Sequence, residues 1–169
     1  MAGPAEKLCL GRNKAGGTWR LEGGHSGPIY AAAELASICP WCIADGAAHT
    51  QLDARFVDEA GIGGYGAWDV VPESVRRTVA YFTPGFSGWQ QERWWTHCGD
   101  ASRFIGPAGR EELELLGPQA IEAIRKDTGL SEWPQWERFL AVICKDKGPT
   151  AYLFRCRKCG LLGGYQDCH

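Results

Sequence analysis

Apolar positions along this chain fall into short runs with two different periods. Val75, Val79 and Phe82 recur at spacings of four and three after Pro72-Glu73-Ser74, which predicts a helix opened by proline and an acid. Trp136, Phe139, Leu140 and Ile143 follow the i, i+3, i+4, i+7 pattern and predict a helix over 134–145, with Cys144 on its core side. Arg110 to Leu116 and Pro118 to Asp127 read as two further helices, the second with proline in its first turn and Ile121 and Ile124 inward. Weaker helical patterns cover Ala31 to Ile38, stopped by Pro40, then Ala47 to Phe56, and then Trp89 to His97. Alternation marks strands at Thr18 to Leu21 and Ala151 to Arg155, with a paired strand starting at Leu161-Leu162. Gly61, Gly63, Gly64 and Gly66 read as a flexible crossing. The expected fold class is α+β, one compact domain over 1–169, with small zinc-knuckle β elements near both ends and short helices between.

Composition changes this picture in two places. The chain has 169 residues, of which 8 are Cys and 8 are Trp. The N-terminus has no apolar segment behind a basic start, and no window has the roughly 18 apolar residues of a membrane span. A cytoplasmic, membrane-free location is therefore expected, with the cysteines reduced and used for metal, packing or catalysis. The net charge of −2 disfavours a nucleic-acid binder.

The cysteines are not evenly spread. Cys39-Pro-Trp-Cys42 and Cys156-Arg-Lys-Cys159-Gly160 are CxxC pairs, a spacing that lets two thiolates face one tetrahedral Zn²⁺. The glycine after Cys159 permits the sharp turn of a zinc-ribbon knuckle. Each pair fills half a shell. Cys9 and His25 lie near the first; His97-Cys98 and Cys168-His169 are available to the second; the two pairs could also share one all-cysteine site. Redox use of either CxxC lacks the strand-before, helix-after frame that such chemistry needs. Trp136 and one of Trp94 and Trp95 are expected in the core. Trp89, Arg93 and Trp94 form the candidate partner-binding surface, since Trp and Arg anchor interfaces. There is no P-loop, dinucleotide glycine motif, HExxH or GxSxG. On a helix, adjacent His97 and Cys98 would not face each other as a dyad.

Gly27-Pro28-Ile29-Tyr30, the run Cys39 to Gly46 (CPWCIADG), Gly88 to Glu92 (GWQQE), His97-Cys98-Gly99-Asp100 and Tyr152 to Cys156 with Cys159-Gly160 occur in this order. The set resembles the CbrC-like family of bacterial proteins. The resemblance implies a small cytoplasmic protein linked by the family's name to tolerance of a DNase-type colicin. It also implies a cysteine pair upstream of the GP-Y segment, where this chain has only Cys9. The implied first site is Cys9, Cys39 and Cys42 with His25, and the second is Cys156, Cys159, His97 and Cys98. The leading expectation is a zinc-binding, non-catalytic interaction protein whose partner is a nuclease-type toxin. The alternatives are a metal-dependent hydrolase using His97, Cys98 and Asp100, and a zinc-ribbon nucleic-acid binder.

Overall fold

A computed structural model describes residues 24–168 apart from Glu34 and Ala36. Thr18 to Leu21, Cys9 and His169 lie outside the described residues. The architecture is α+β, with short helices and antiparallel sheets. The chain divides into two compact units, one formed by the segment ending at Glu59 together with Glu73–Ser87, the other by Ala60–Pro72 and Gly88–His169.

In the first unit, helices α1 (Pro40–Ala44), α2 (Ala47–Leu52) and α3 (Glu73–Phe82) surround a small core. Ile38, Cys39, Cys42, Ile43, Ala48, Ala54 and Phe56 are its buried members. The helix expected over Ala31 to Ile38 does not form. Ile38 exchanges both backbone hydrogen bonds with His25, at 2.8 and 2.9 Å, and Tyr30 does the same with Arg55. Pro40 therefore opens a helix instead of stopping one, in the first-turn position where its missing N–H costs nothing. Helix α2 ends at Leu52, so Phe56 joins the core from beyond it.

The second unit is built on a three-stranded antiparallel sheet in the order β3-β4-β5, after a small hairpin of β1 (Thr96–His97) and β2 (Asp100–Ala101). Strand β3 is Arg103–Ala108, β4 is Thr150–Arg155 and β5 is Leu162–Asp167. Central strand β4 is buried from Thr150 to Phe154, the continuous burial of a strand covered on both faces. Alternate side chains serve two cores. Ala151 and Leu153 meet Ala108, Leu113, Ala120, Ile124, Trp136 and Ile143. These come largely from α4 (Arg110–Leu116), α5 (Pro118–Thr128) and α6 (Trp133–Val142). On the other face Phe154 packs against Phe104 and Trp94, with ring centroids 5.1 and 5.7 Å apart.

Two further expectations are corrected here. Trp89 to His97 is not helical: residues 89–91 bend, Trp94 bonds to the backbones of Gly61 and Gly63, Trp95 accepts from Ser102, and Thr96–His97 form β1. Trp94, Trp95 and Trp136 are nonetheless buried. Helix α6 ends at Val142, so Cys144 is not on a helical core face. It sits half-buried in the following loop, its N–H donating to Pro149 O and its carbonyl accepting from Thr150 Oγ1.

Candidate metal centre

Two turns of similar construction bring four donor residues together. The first is the two-residue loop of the β1–β2 hairpin, where His97 pairs with Asp100 around Cys98 and Gly99. Both loop residues have positive φ, 57° and 65°, the conformation of a type I′ hairpin turn. The second follows β4. Cys156 N donates to Leu161 O, Gly160 N donates to Cys156 O, and Gly160 turns at φ 77° before β5 begins. Lys158 Nζ donates to Cys98 O at 2.9 Å and so ties one turn to the other. Gly99 N donates to Asp69 Oδ2, which pins the hairpin from the other side.

The ligand atoms of His97, Cys98, Cys156 and Cys159 all lie within 4.8 Å of one another. His97 Nδ1 is 3.2 Å from Cys98 Sγ and 3.4 Å from Cys159 Sγ. A tetrahedral zinc, with bonds near 2.3 Å to sulfur and 2.0 Å to nitrogen, requires roughly 3.5 Å between such pairs. The donor types, three thiols and one imidazole, fit the same ion. Among the described residues no other such group of three or more His, Cys, Asp or Glu gathers.

The electrostatics of the four groups depend on one another. Burial pushes the Cys156 thiol up. The N–H groups of Cys159 and Lys158 and the hydrogen bond with His97 outweigh that and hold it at about 6. Cys98 moves the other way. Its hydrogen bond with Cys159, partial desolvation and the nearby Cys156 push it up to about 11. Without a cation, the set supports one thiolate readily and resists the next. A divalent ion removes that conflict, because its charge favours every thiolate at once.

The structure thus brings together Cys156, Cys159, His97 and Cys98, and leaves Cys168 exposed outside the group. Adjacent His97 and Cys98 do face each other, contrary to the helical expectation, because a hairpin turn and not a helix carries them. Cys39 and Cys42 are buried in the first unit, and His25 Nε2 is buried there with no hydrogen-bond partner among the described residues. Burial lowers the His25 pKa, favouring the neutral ring. These three do not gather as a ligand group by themselves, and Cys9 lies outside the described residues.

Of the candidate partner surface, Trp94 is corrected. It is 4% exposed and its indole N–H donates to Ser102 O, so it has little face to offer. Arg93 is held over Tyr165 at 4.3 Å and Trp68 at 5.2 Å, with Asp127 at 3.6 Å. Trp89 is 42% exposed, though its indole N–H donates to Thr150 Oγ1.

Trp95 is the residue that sequence reasoning missed. Its indole stacks on the His97 ring, centroids 5.2 Å apart and planes 10° from parallel, and thereby orients a ligand. Gly163 makes this possible, since a Cβ there would collide with the indole. Gly163→Ala is expected to cost about 1–3 kcal/mol through overpacking. It should also weaken metal binding as Trp95 shifts against His97. Thermal unfolding and a chelator-competition titration check both effects.

The uncharacterised protein family UPF0167 matches residues 22–168. The UPF0167 protein Mb2317 of Mycobacterium bovis is 44% identical over 146 residues, covering 85% of this chain and 75% of its own. UPF0167 protein MT2352 of Mycobacterium tuberculosis has the same figures. UPF0167 protein PA1536 of Pseudomonas aeruginosa is 39% identical over 141 residues, covering 80% of this chain and 74% of its own. No solved structure matches the chain. Among the described residues no helix is long and apolar enough to cross a membrane. The extent of the match and the identity of these relatives show that the chain belongs to the UPF0167 family.

Proposed function

We propose that this protein binds one Zn²⁺ through Cys98, Cys156, Cys159 and His97, and that the ion is structural. The observation that carries the reading is the convergence of those four ligand atoms within 4.8 Å. Four protein donors fill a tetrahedral shell and leave no open position of the kind a catalytic zinc keeps. The hydrolase alternative is disfavoured by the same donor count, because His97 and Cys98 both belong to the ligand group and neither is left free as base or nucleophile. Asp100 accepts from the backbone of Ala101 at 2.8 Å, a local turn contact. In this reading the CbrC-like motifs and the UPF0167 match describe one family, and the module holds a binding surface. The partner this reading offers for test is a nuclease-type toxin, from the CbrC-like resemblance alone.

Metal content per chain tests the zinc assignment. The wild-type protein purified under reducing conditions is expected to carry one zinc in this site. Cys156→Ser and Cys98→Ser should each lose it, whereas Cys168→Ser should keep it. Retention of that zinc in Cys156→Ser would exclude the assignment.

A further inference from the structure

Strand β5 lies at the edge of its sheet, paired on one side with β4. In an antiparallel ladder, alternate residues turn both backbone groups toward the partner strand and the others turn both away. Two bonds fix the phase. Cys156 N donates to Leu161 O, whereas Gln166 N donates outward to Asp127 Oδ2 at 2.9 Å. Gly163 and Tyr165 therefore face β4, and Leu162, Gly164 and Gln166 face outward. Asp127 of α5 satisfies Gln166. Among the described residues, the outward groups of Leu162 and Gly164 have no partner.

Leu162 and Gly164 are buried, and their edge borders a cleft of about 520 Å³ between β5 and α5, walled by Trp68, Trp95 and Ala123. Neither Trp indole N–H has a hydrogen-bond partner among the described residues, and neither nitrogen is a buried unsatisfied atom, so both remain accessible to a bound group. The charges along the cleft are unevenly matched. Glu122 is 3.7 Å from Arg125, and Asp127 is engaged by Gln166 and Arg93. Lys126 makes no ion pair among the described residues. The unmatched charge is positive.

We propose that the cleft binds an extended peptide segment of a partner protein by strand addition to β5, with an acidic residue of the peptide placed near Lys126. Two residues offering N–H and C=O, one strand repeat of roughly 7 Å apart, are bonded together most directly by another extended backbone. Helix α5 covers the edge at Gln166 through Asp127, whereas Leu162-Gly163-Gly164 carries no charge, proline or bulge to blunt it further along. The apolar walls suit one alternate side chain of the added strand, and Lys126 gives the charge preference. The proposal goes beyond the metal reading and does not depend on which metal is bound.

Amide hydrogen exchange on the metal-loaded full chain, with peptides selected from a phage-displayed random decapeptide library, tests it. In the free protein the amides of Leu162 and Gly164, buried but without a partner, are expected to exchange faster than the β4-bonded amides of Gly163 and Tyr165. Saturating selected peptide should slow Leu162 and Gly164 by roughly tenfold or more. Ala123→Trp, which fills the cleft from α5, should weaken peptide binding by about tenfold or more. Lys126→Glu at the rim should weaken it roughly 2–5-fold. An unchanged circular dichroism spectrum and cooperative melting show that each variant retains its fold. Protection of Leu162 and Gly164 in the free protein would overturn the proposal by showing the edge already covered; light scattering then separates a second copy from the chain's own segment. Failure to select any peptide, or equal binding by Ala123→Trp, would overturn it as well.

Discussion

Stripping the metal with a strong chelator should lower the melting temperature of the second unit by roughly 15 °C or more. A ligand held at a thousandfold above its dissociation constant contributes about 4 kcal/mol of stability. Each kcal/mol moves a unit of this size by roughly 4–8 °C. The loss should be local first. Hairpin β1–β2 has two residues per strand, far short of what holds a two-stranded ribbon together in water. Residues 157–161 of the opposite turn are exposed. Polar ties across this end of the unit run from Lys158 to Cys98 O and from Gly99 N to Asp69. Without the ion, three thiols and an imidazole remain crowded together, and Cys156 and Cys98 then differ sharply in their readiness to ionise. Hydrogen exchange should show residues 96–101 and 156–162 opening first, with α6 and β3 protected. Added zinc should restore both the melting temperature and the protection. A melting temperature indifferent to chelation would remove the structural role.

The parts of this fold that were legible in the sequence share a physical cause. Helices α4, α5 and α6 each place an apolar stripe on the core of the second unit, and α3 buries Val79 and Ala80 in the first, so the 3.6-residue period survives in the sequence. The β4–turn–β5 unit was legible because a CxxC followed by glycine allows few backbone paths. Strand β3 was not. Its middle reads Ile105-Gly106-Pro107, and its register shifts between Phe104 and Gly106. Pro107 is tolerated because β3 is an edge strand. Ala31 to Ile38 failed for the opposite reason. Ala-rich composition favours a helix weakly, and two backbone exchanges with His25 and Arg55 outweighed it.

The choice among spare ligands was also partly legible. Two of the eight cysteines are followed by glycine, Cys98 and Cys159, and both glycines turn at positive φ. Reading Cys98-Gly99 as a second knuckle would have selected His97-Cys98 over Cys168-His169. Instead, the neighbouring tryptophans suggested a helix, which masked the turn. The stacking of Trp95 on His97 was beyond sequence reasoning, because it depends on Gly163, a residue close only in space.

Trp136→Ala should destabilise the second unit by about 3–5 kcal/mol, a large fraction of the total stability of a small domain. Trp136 is 1% exposed and is the largest fully buried side chain. It stacks on Phe139 with centroids 5.8 Å apart, and its core neighbours Ala108, Ala120 and Ala151 are too small to close over a vacated indole. Calorimetry or denaturant melts give the size of the loss, and a value below about 1 kcal/mol would show that the helices collapse onto the cavity. Trp136→Phe, which keeps a ring against Phe139, should lose less. This substitution also separates core from site. Trp136 belongs to the helical core and is not one of the four ligands, so the folded variant should still bind one zinc in the knuckle site. Leu162 belongs to the Trp136 core and begins the strand that leaves the Cys156–Cys159 turn. If both act on one cooperative unit, chelation and Trp136→Ala should each shift a single shared unfolding transition, and their losses should add. Two separate transitions, each moved by one perturbation alone, would show that the knuckle and the helical core unfold independently.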